Sequence, residues 1–157
     1  VNGNVTLPPQ NGGHAENYET GTGTPIDLEE IESVQIPLTV KEIGDEAFYG
    51  CEDLNNINTH ASLSSIGKDA FKETAYYNNP QNWDGQALYL SNYLLTVSST
   101  YTGEFTVKEG TTMIADQAFY KCANLKQLAF EEKMKLIKSA HIALGNVCRV
   151  FFMLQDP

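Results

Sequence analysis

The sequence predicts an α/β solenoid: parallel strands stacked into a sheet on the concave face, with short helices returning the chain on the convex face. Three observations predict it. The phrase "IGDEAFYGCEDL" at residues 43–54 recurs almost unchanged as "IADQAFYKCANL" at residues 114–125. An Ile followed four and five positions later by Ala-Phe occurs at Ile43, Ile66 and Ile114, and Ile137 continues the series, so that the four are spaced by 23, 48 and 23. An apolar triplet with the spacing L-x-x-L-x-L accompanies the phrase, as in Leu125, Leu128 and Phe130. A fixed period of this length marks a stacked repeat, whose units cannot bury a core singly.

Each element of the unit has a physical reason. The end of the triplet alternates inward and outward, as a half-buried strand does. The triplet occurs as Ile31, Val34 and Ile36, and a period later as Leu54 and Ile57 with Thr59 in the third slot; Phe105 and Val107 fill its last two slots in a further unit. Residues 45–51 must carry the chain back, and we expect them to form a short helix. Gly44 and Gly67 precede that segment, at a turn where a residue without Cβ has more conformations open to it. Ala47 and Ala70 let the return segment approach the sheet. Phe48, Phe71 and Phe119 are expected as one interior aromatic per unit. Cys51 and Cys122 fall on the inner side, where a free thiol behaves as a small apolar group. The step of 48 is two units of 23 and two more, so about five repeats run from residue 31 to about 145.

The units read in this way resemble the BspA-like leucine-rich repeat family. "VQIPLTVKEIGDEAFYGCEDLNNI" carries that family's pattern at Ile36-Pro37, Val40, Ile43-Gly44, Ala47-Phe48, Gly50-Cys51 and Leu54. The resemblance covers residues 26–145. It implies a non-enzymatic protein, secreted or held at the cell surface, that mediates protein–protein interaction or adhesion. The partners it implies are host matrix proteins or other microbes. The chain departs from the pattern at Ala115 and Lys121, where the family has glycine, and at His141-Ile142, where it has Ala-Phe.

The domain organisation follows. Residues 1–25 are rich in Gly, Asn, Thr and Pro and read as a linker or extended arm. Residues 26–157 are expected to form the repeat domain; from about residue 137 the unit is degenerate and reads as a capping repeat that covers the open edge of the stack, the alternative being a damaged or truncated longer array. Because the chain starts at Val1, its natural N-terminus is expected to lie upstream. Residues 74–100 interrupt the period. There Leu88–Leu90 and Tyr93–Val97 flank Ser91-Asn92 and predict a hairpin-like insertion.

Charge and composition narrow the partners. The net charge is −10, and residues 1–60 hold eleven acids against one base, Lys41. Nucleic acid requires a basic face, so it is excluded as a partner. No apolar run reaches the length of a membrane span, so no membrane insertion is expected. No metal or cofactor is expected either. The histidines His14, His60 and His141 have no ligand spacing, and no P-loop or nucleophile elbow occurs. Glu29-Glu30, Glu52-Asp53 and Glu131-Glu132 are adjacent pairs whose side chains diverge, and no catalytic constellation emerges.

Two sets of residues remain as partner-binding candidates. Tyr76, Tyr77, Trp83, Tyr89 and Tyr93 crowd the insertion and suit stacking on a glycan or anchoring a protein; the alternative is that they complete the core of a widened repeat. Gln35, Asn56, Asn58 and Gln127 occupy outward strand positions, together with Ser33, Asn55, Thr106, Lys126 and Ala129, on the sheet surface that solenoids use for partners. The first reading is a protein-binding module. The alternative is a carbohydrate-binding module built on residues 76–93.

Overall fold

The computed structural model describes residues 30–130. The linker read at 1–25 and the capping repeat from 137 lie outside those residues, as do His14, His141 and Cys148. The chain forms two compact units, Val1–Asn82 and Trp83–Pro157. Among the described residues each holds two turns of parallel-strand solenoid.

In the first unit, β1 (Ser33–Gln35) pairs in parallel with β3 (Asn56–Asn58), setting Ser33 beside Asn56, Val34 beside Ile57 and Gln35 beside Asn58. On a second side, β2 (Glu42–Ile43) pairs with β4 (Ser65–Ile66), setting Ile43 beside Ile66. Each of these pairs spans one period of the sequence. Side chains keep the same step of 23 residues: Asp45 Oδ1 accepts from the Lys68 N–H at 2.8 Å, and Ser64 Oγ donates to the Lys41 carbonyl at 2.9 Å.

The third side differs from expectation. Residues 45–51 form a run of turns, not a helix. The N–H groups of Ala47, Tyr49 and Cys51 bond back three residues, to Gly44, Glu46 and Phe48. The intervening N–H groups of Glu46, Phe48 and Gly50 reach across to the carbonyls of Lys68, Ala70 and Lys72 in the next turn, at 2.9, 2.8 and 3.0 Å. A helix would spend those donors on its own i−4 carbonyls. Here half of them tie one turn to the next. Left-handed residues fix this geometry. Glu46, Asp69 and Gln117 hold φ of 56°, 52° and 56° at the third residue after the Ile. Gly50, Glu73 and Lys121 hold 72°, 63° and 60° at the seventh. A left-handed residue interrupts a right-handed helix.

The same positions explain the glycines. The family's Gly before Cys is a left-handed position, and Lys121 adopts that conformation without being glycine. The Gly67 position needs no positive φ. Its glycine is required because a Cβ there would run into the Asp45 backbone N, Asp45 Oδ1 and the Gly44 carbonyl carbon. Close approach, not turn freedom, selects that residue.

The interior is as predicted on this side. Phe48 and Phe71 are buried, with Leu54, Ile57 and Ile66. The two rings stack at 5.2 Å. The only α-helix of the described residues is α1 (Ala75–Asn78), one turn long. Thr74 starts it: its buried hydroxyl accepts from the Tyr77 N–H and donates to the Phe71 carbonyl at 2.8 Å. Such a cap satisfies a helix donor that has no partner within the helix.

In the second unit, β5 (Trp83–Asp84), β6 (Ala87–Leu90) and β7 (Tyr93–Val97) run antiparallel, and β7 pairs in parallel with β9 (Met113–Ile114). The hairpin expected at Ser91-Asn92 is present, with Ser91 at φ 53° and Leu90 opposite Tyr93. Leu94 stands beside Ile114 in the parallel register. Leu94 therefore occupies the Ile slot of the interrupted repeat. It divides the stretch from Ile66 to Ile114 unequally, the part before it longer than the part after it, in place of two near-equal units.

The remaining parallel pair is β8 (Thr102–Val107) with β10 (Asn124–Phe130). Leu128 lies beside Phe105 and Phe130 beside Val107, again one period apart. The register shifts between Leu125 and Gln127, which leaves Lys126 as the extra residue. Leu125 and Leu128 are three positions apart, an odd step that would put them on opposite faces of a regular strand. The bulge adds the residue that lets both face the core. Phe119 is fully buried and meets Phe105 edge to face at 5.5 Å. Cys122 is buried in the same core, its thiol donating toward the carbonyls of Val97 and Ser98. Neither Cys51 nor Cys122 is in a disulfide.

Candidate functional site

The strand faces of the two units are built from the outward residues of β1, β3, β8 and β10. In the first unit Ser33, Gln35, Asn56 and Asn58 are all exposed, while Val34 and Ile57 turn toward the core. The parallel register places Ser33 beside Asn56 and Gln35 beside Asn58. The Asn58 amide donates to the Asn56 Oδ1 at 3.3 Å, which links two outward side chains along one strand. Four neutral groups that donate and accept thus stand two by two on a backbone pinned by the ladder. The ends of the strands frame this patch. Glu32 accepts from the Asn55 and Asn56 N–H groups through its carbonyl, at 3.0 and 3.1 Å. Leu38 lies just past β1 and is 71% exposed.

In the second unit Thr102, Glu104 and Thr106 of β8 are exposed, as are Asn124 and Lys126 of β10. Gln127 lies beside Glu104 and is half-buried, because the bulge at Lys126 turns it partly into the sheet. Glu104 was not among the candidates, although its place one residue before the inward Phe105 marks it as outward.

The five aromatics do not form one set. Tyr76 and Tyr77 lie in α1 of the first unit and are half-buried. Trp83 opens β5 of the second unit and is half-buried. Tyr93, 2% exposed, and Tyr89 belong to the core of the second unit. The Tyr89 hydroxyl accepts from the Lys108 N–H at 3.2 Å, and the Lys108 ammonium sits 5.5 Å from the ring centroid. Burial pushes the Tyr89 phenol above its ordinary value. These two side chains complete the widened repeat, the alternative weighed for the whole set.

The ionisable groups show a structural pattern. Burial raises the Cys51 and Cys122 thiols, which lowers their reactivity. The Tyr49 phenol is pushed up to about 12, chiefly by its hydrogen bond to Glu73 of the next turn. Among the described residues no group of His, Cys, Asp and Glu could hold a metal ion. Among the same residues no helix is long and apolar enough to cross a membrane.

A comparison of the whole chain with known families fits this geometry. Residues 27–144 match the BspA type leucine rich repeat region, in six copies. The chain belongs to that family. The matched range passes both ends of the described residues, which hold four turns; the period read from the sequence counts about five repeats. No curated protein and no solved structure matches the chain. Leucine-rich repeats present an extended strand surface that serves protein interaction, and that general role comes to this chain with its family.

Proposed function

We propose that this chain is a non-catalytic, exported binding module that holds a protein partner at the cell surface through its strand faces. The observation that carries the reading is the in-register patch Ser33, Gln35, Asn56 and Asn58, exposed beside the inward pair of half-buried Val34 and buried Ile57. Its side chains satisfy no core and cap no helix, yet their backbone is fixed. A rigid surface loses little entropy on binding. The family's surface association favours export, and its interaction role favours adhesion to host matrix proteins or to other microbes. The test is capture of the chain by immobilised matrix glycoproteins and by whole microbial cells. Gln35→Arg with Asn58→Arg, which sets two bulky side chains on the patch, is expected to abolish capture without lowering the melting temperature. Capture that ignores this pair would remove the strand face from the site.

A second reading keeps the glycan alternative, taken separately for Tyr76 and Tyr77 in the first unit and for Trp83 in the second. The observation favouring it is that these three retain exposed surface, unlike Tyr89 and Tyr93. A glycan array decides it: sugar binding lost in Trp83→Ala supports the reading, and an array without signal ends it.

A further inference from the structure

We infer that the β1/β3 face docks an extended, lysine- or arginine-rich segment of a protein partner; this rests on the binding role proposed above. Two features of the face select that occupant. The first is spacing. Ser33 and Gln35, like Asn56 and Asn58, are alternate residues of a strand, so each pair repeats at ~6.8 Å. An extended polypeptide presents its main-chain N–H and C=O groups toward one side at the same interval. Hydroxyl and amide side chains both donate and accept, so the four can hydrogen-bond such a main chain whatever its sequence.

The second feature is charge complementarity. The face itself is neutral, but the segments leading into its two strands carry Glu30, Glu32, Glu52 and Asp53, all exposed. The hydrogen bonds from Asn55 and Asn56 to the Glu32 carbonyl bring the starts of β1 and β3 side by side. Among the described residues no ion pair engages these four carboxylates; the ion pairs there involve Asp69 and Asp84. Lys41, the single base of residues 1–60, is turned back onto the Leu38 carbonyl at 3.1 Å. A partner chain laid on the amides meets, at one end, carboxylates that no described residue pairs with. Cationic side chains relieve it, and acidic ones are repelled.

The experiment uses the full chain and two synthetic peptides, one alternating lysine and serine, the other glutamate and serine, with affinity read by fluorescence anisotropy. The lysine peptide is expected to bind and the glutamate peptide not. Glu32→Gln with Asp53→Asn is expected to weaken binding about threefold or more, the scale of exposed ion pairs, and added salt to weaken it further. Glu42→Gln with Glu109→Gln removes the same charge from exposed sites that lie on neither strand of the face nor the segments leading into them, and is expected to leave binding unchanged. Equal loss from both variants means diffuse attraction to an acidic protein and overturns the inference, as does failure of the lysine peptide to bind. If matrix or cell capture depends on Gln35 and Asn58 but ignores Glu32, Asp53 and salt, the binding reading stands and the basic-segment inference falls.

Discussion

The rings of Phe48 and Phe71 lie face to face, 5.2 Å apart and 3° from parallel, each the same residue of successive repeats. Stacked aromatics add to the burial of their area. Phe71→Ala is expected to cost ~3–5 kcal/mol, from lost transfer energy and the cavity left behind. A domain's whole stability is ~5–15 kcal/mol, so the melting temperature should fall severely. Tyr120→Ala, at an exposed position one residue after the matching Phe119, should change it little. A Phe71→Ala protein that melts like its parent would disprove the interior ladder.

Gly67 and Gly50 separate two reasons for glycine. At Gly50 a Cβ meets open space, so alanine carries only the left-handed penalty of ~1–2 kcal/mol. At Gly67 it meets the backbone of the preceding turn, and the two turns must part. Gly67→Ala should therefore be the more destabilising in denaturant melts. The reverse order would mean that the turns are not packed as described.

Cys51 and Cys122 should label slowly in the native protein and fast in denaturant, followed residue by residue through mass spectrometry. Burial raises both thiols above the ordinary ~8.5, so the unfolded chain loses those protons first as pH rises. Their contribution to stability is complete below ~8.5 and is lost as pH climbs through the folded values. Denaturation midpoints should decline over that alkaline range. Fast native labelling of both thiols would contradict their burial.

The period, the phenylalanines and the buried thiols were legible in the sequence because each repeats in a fixed register. The return segments were not. Asp45-Glu46-Ala47-Phe48 has helical composition, and what prevents a helix is the left-handed turn at Glu46 and the donors given to the next repeat. Only the stacked neighbour supplies those acceptors, so local propensity cannot report them. Tyr89 and Tyr93 were ambiguous for a related reason. All four residues of Ala87–Leu90 are buried, and a strand covered on both faces loses the alternation that separates core from surface. Gln35, Asn56 and Asn58 were found as outward residues by strand parity, whereas Gln127 was displaced by a bulge whose two-for-one count parity alone does not reveal.

Successive strands stack in parallel at a step of one sequence period, and cross-linking Ser33 to Asn56 tests this most directly. Their Cα atoms face each other in adjacent strands, about 5 Å apart by the usual strand spacing and within the ~4.4–6.8 Å that a disulfide spans. In Ser33→Cys with Asn56→Cys, mild oxidation should give a bridge between residues 33 and 56, found by peptide mapping, with the fold retained. In Ser33→Cys with Ile57→Cys the second side chain points into the core, and no bridge should form. A bridge in the second variant and none in the first would shift the register by one residue, turn β3 over relative to β1, and contradict both the pairing and the binding face assigned to it.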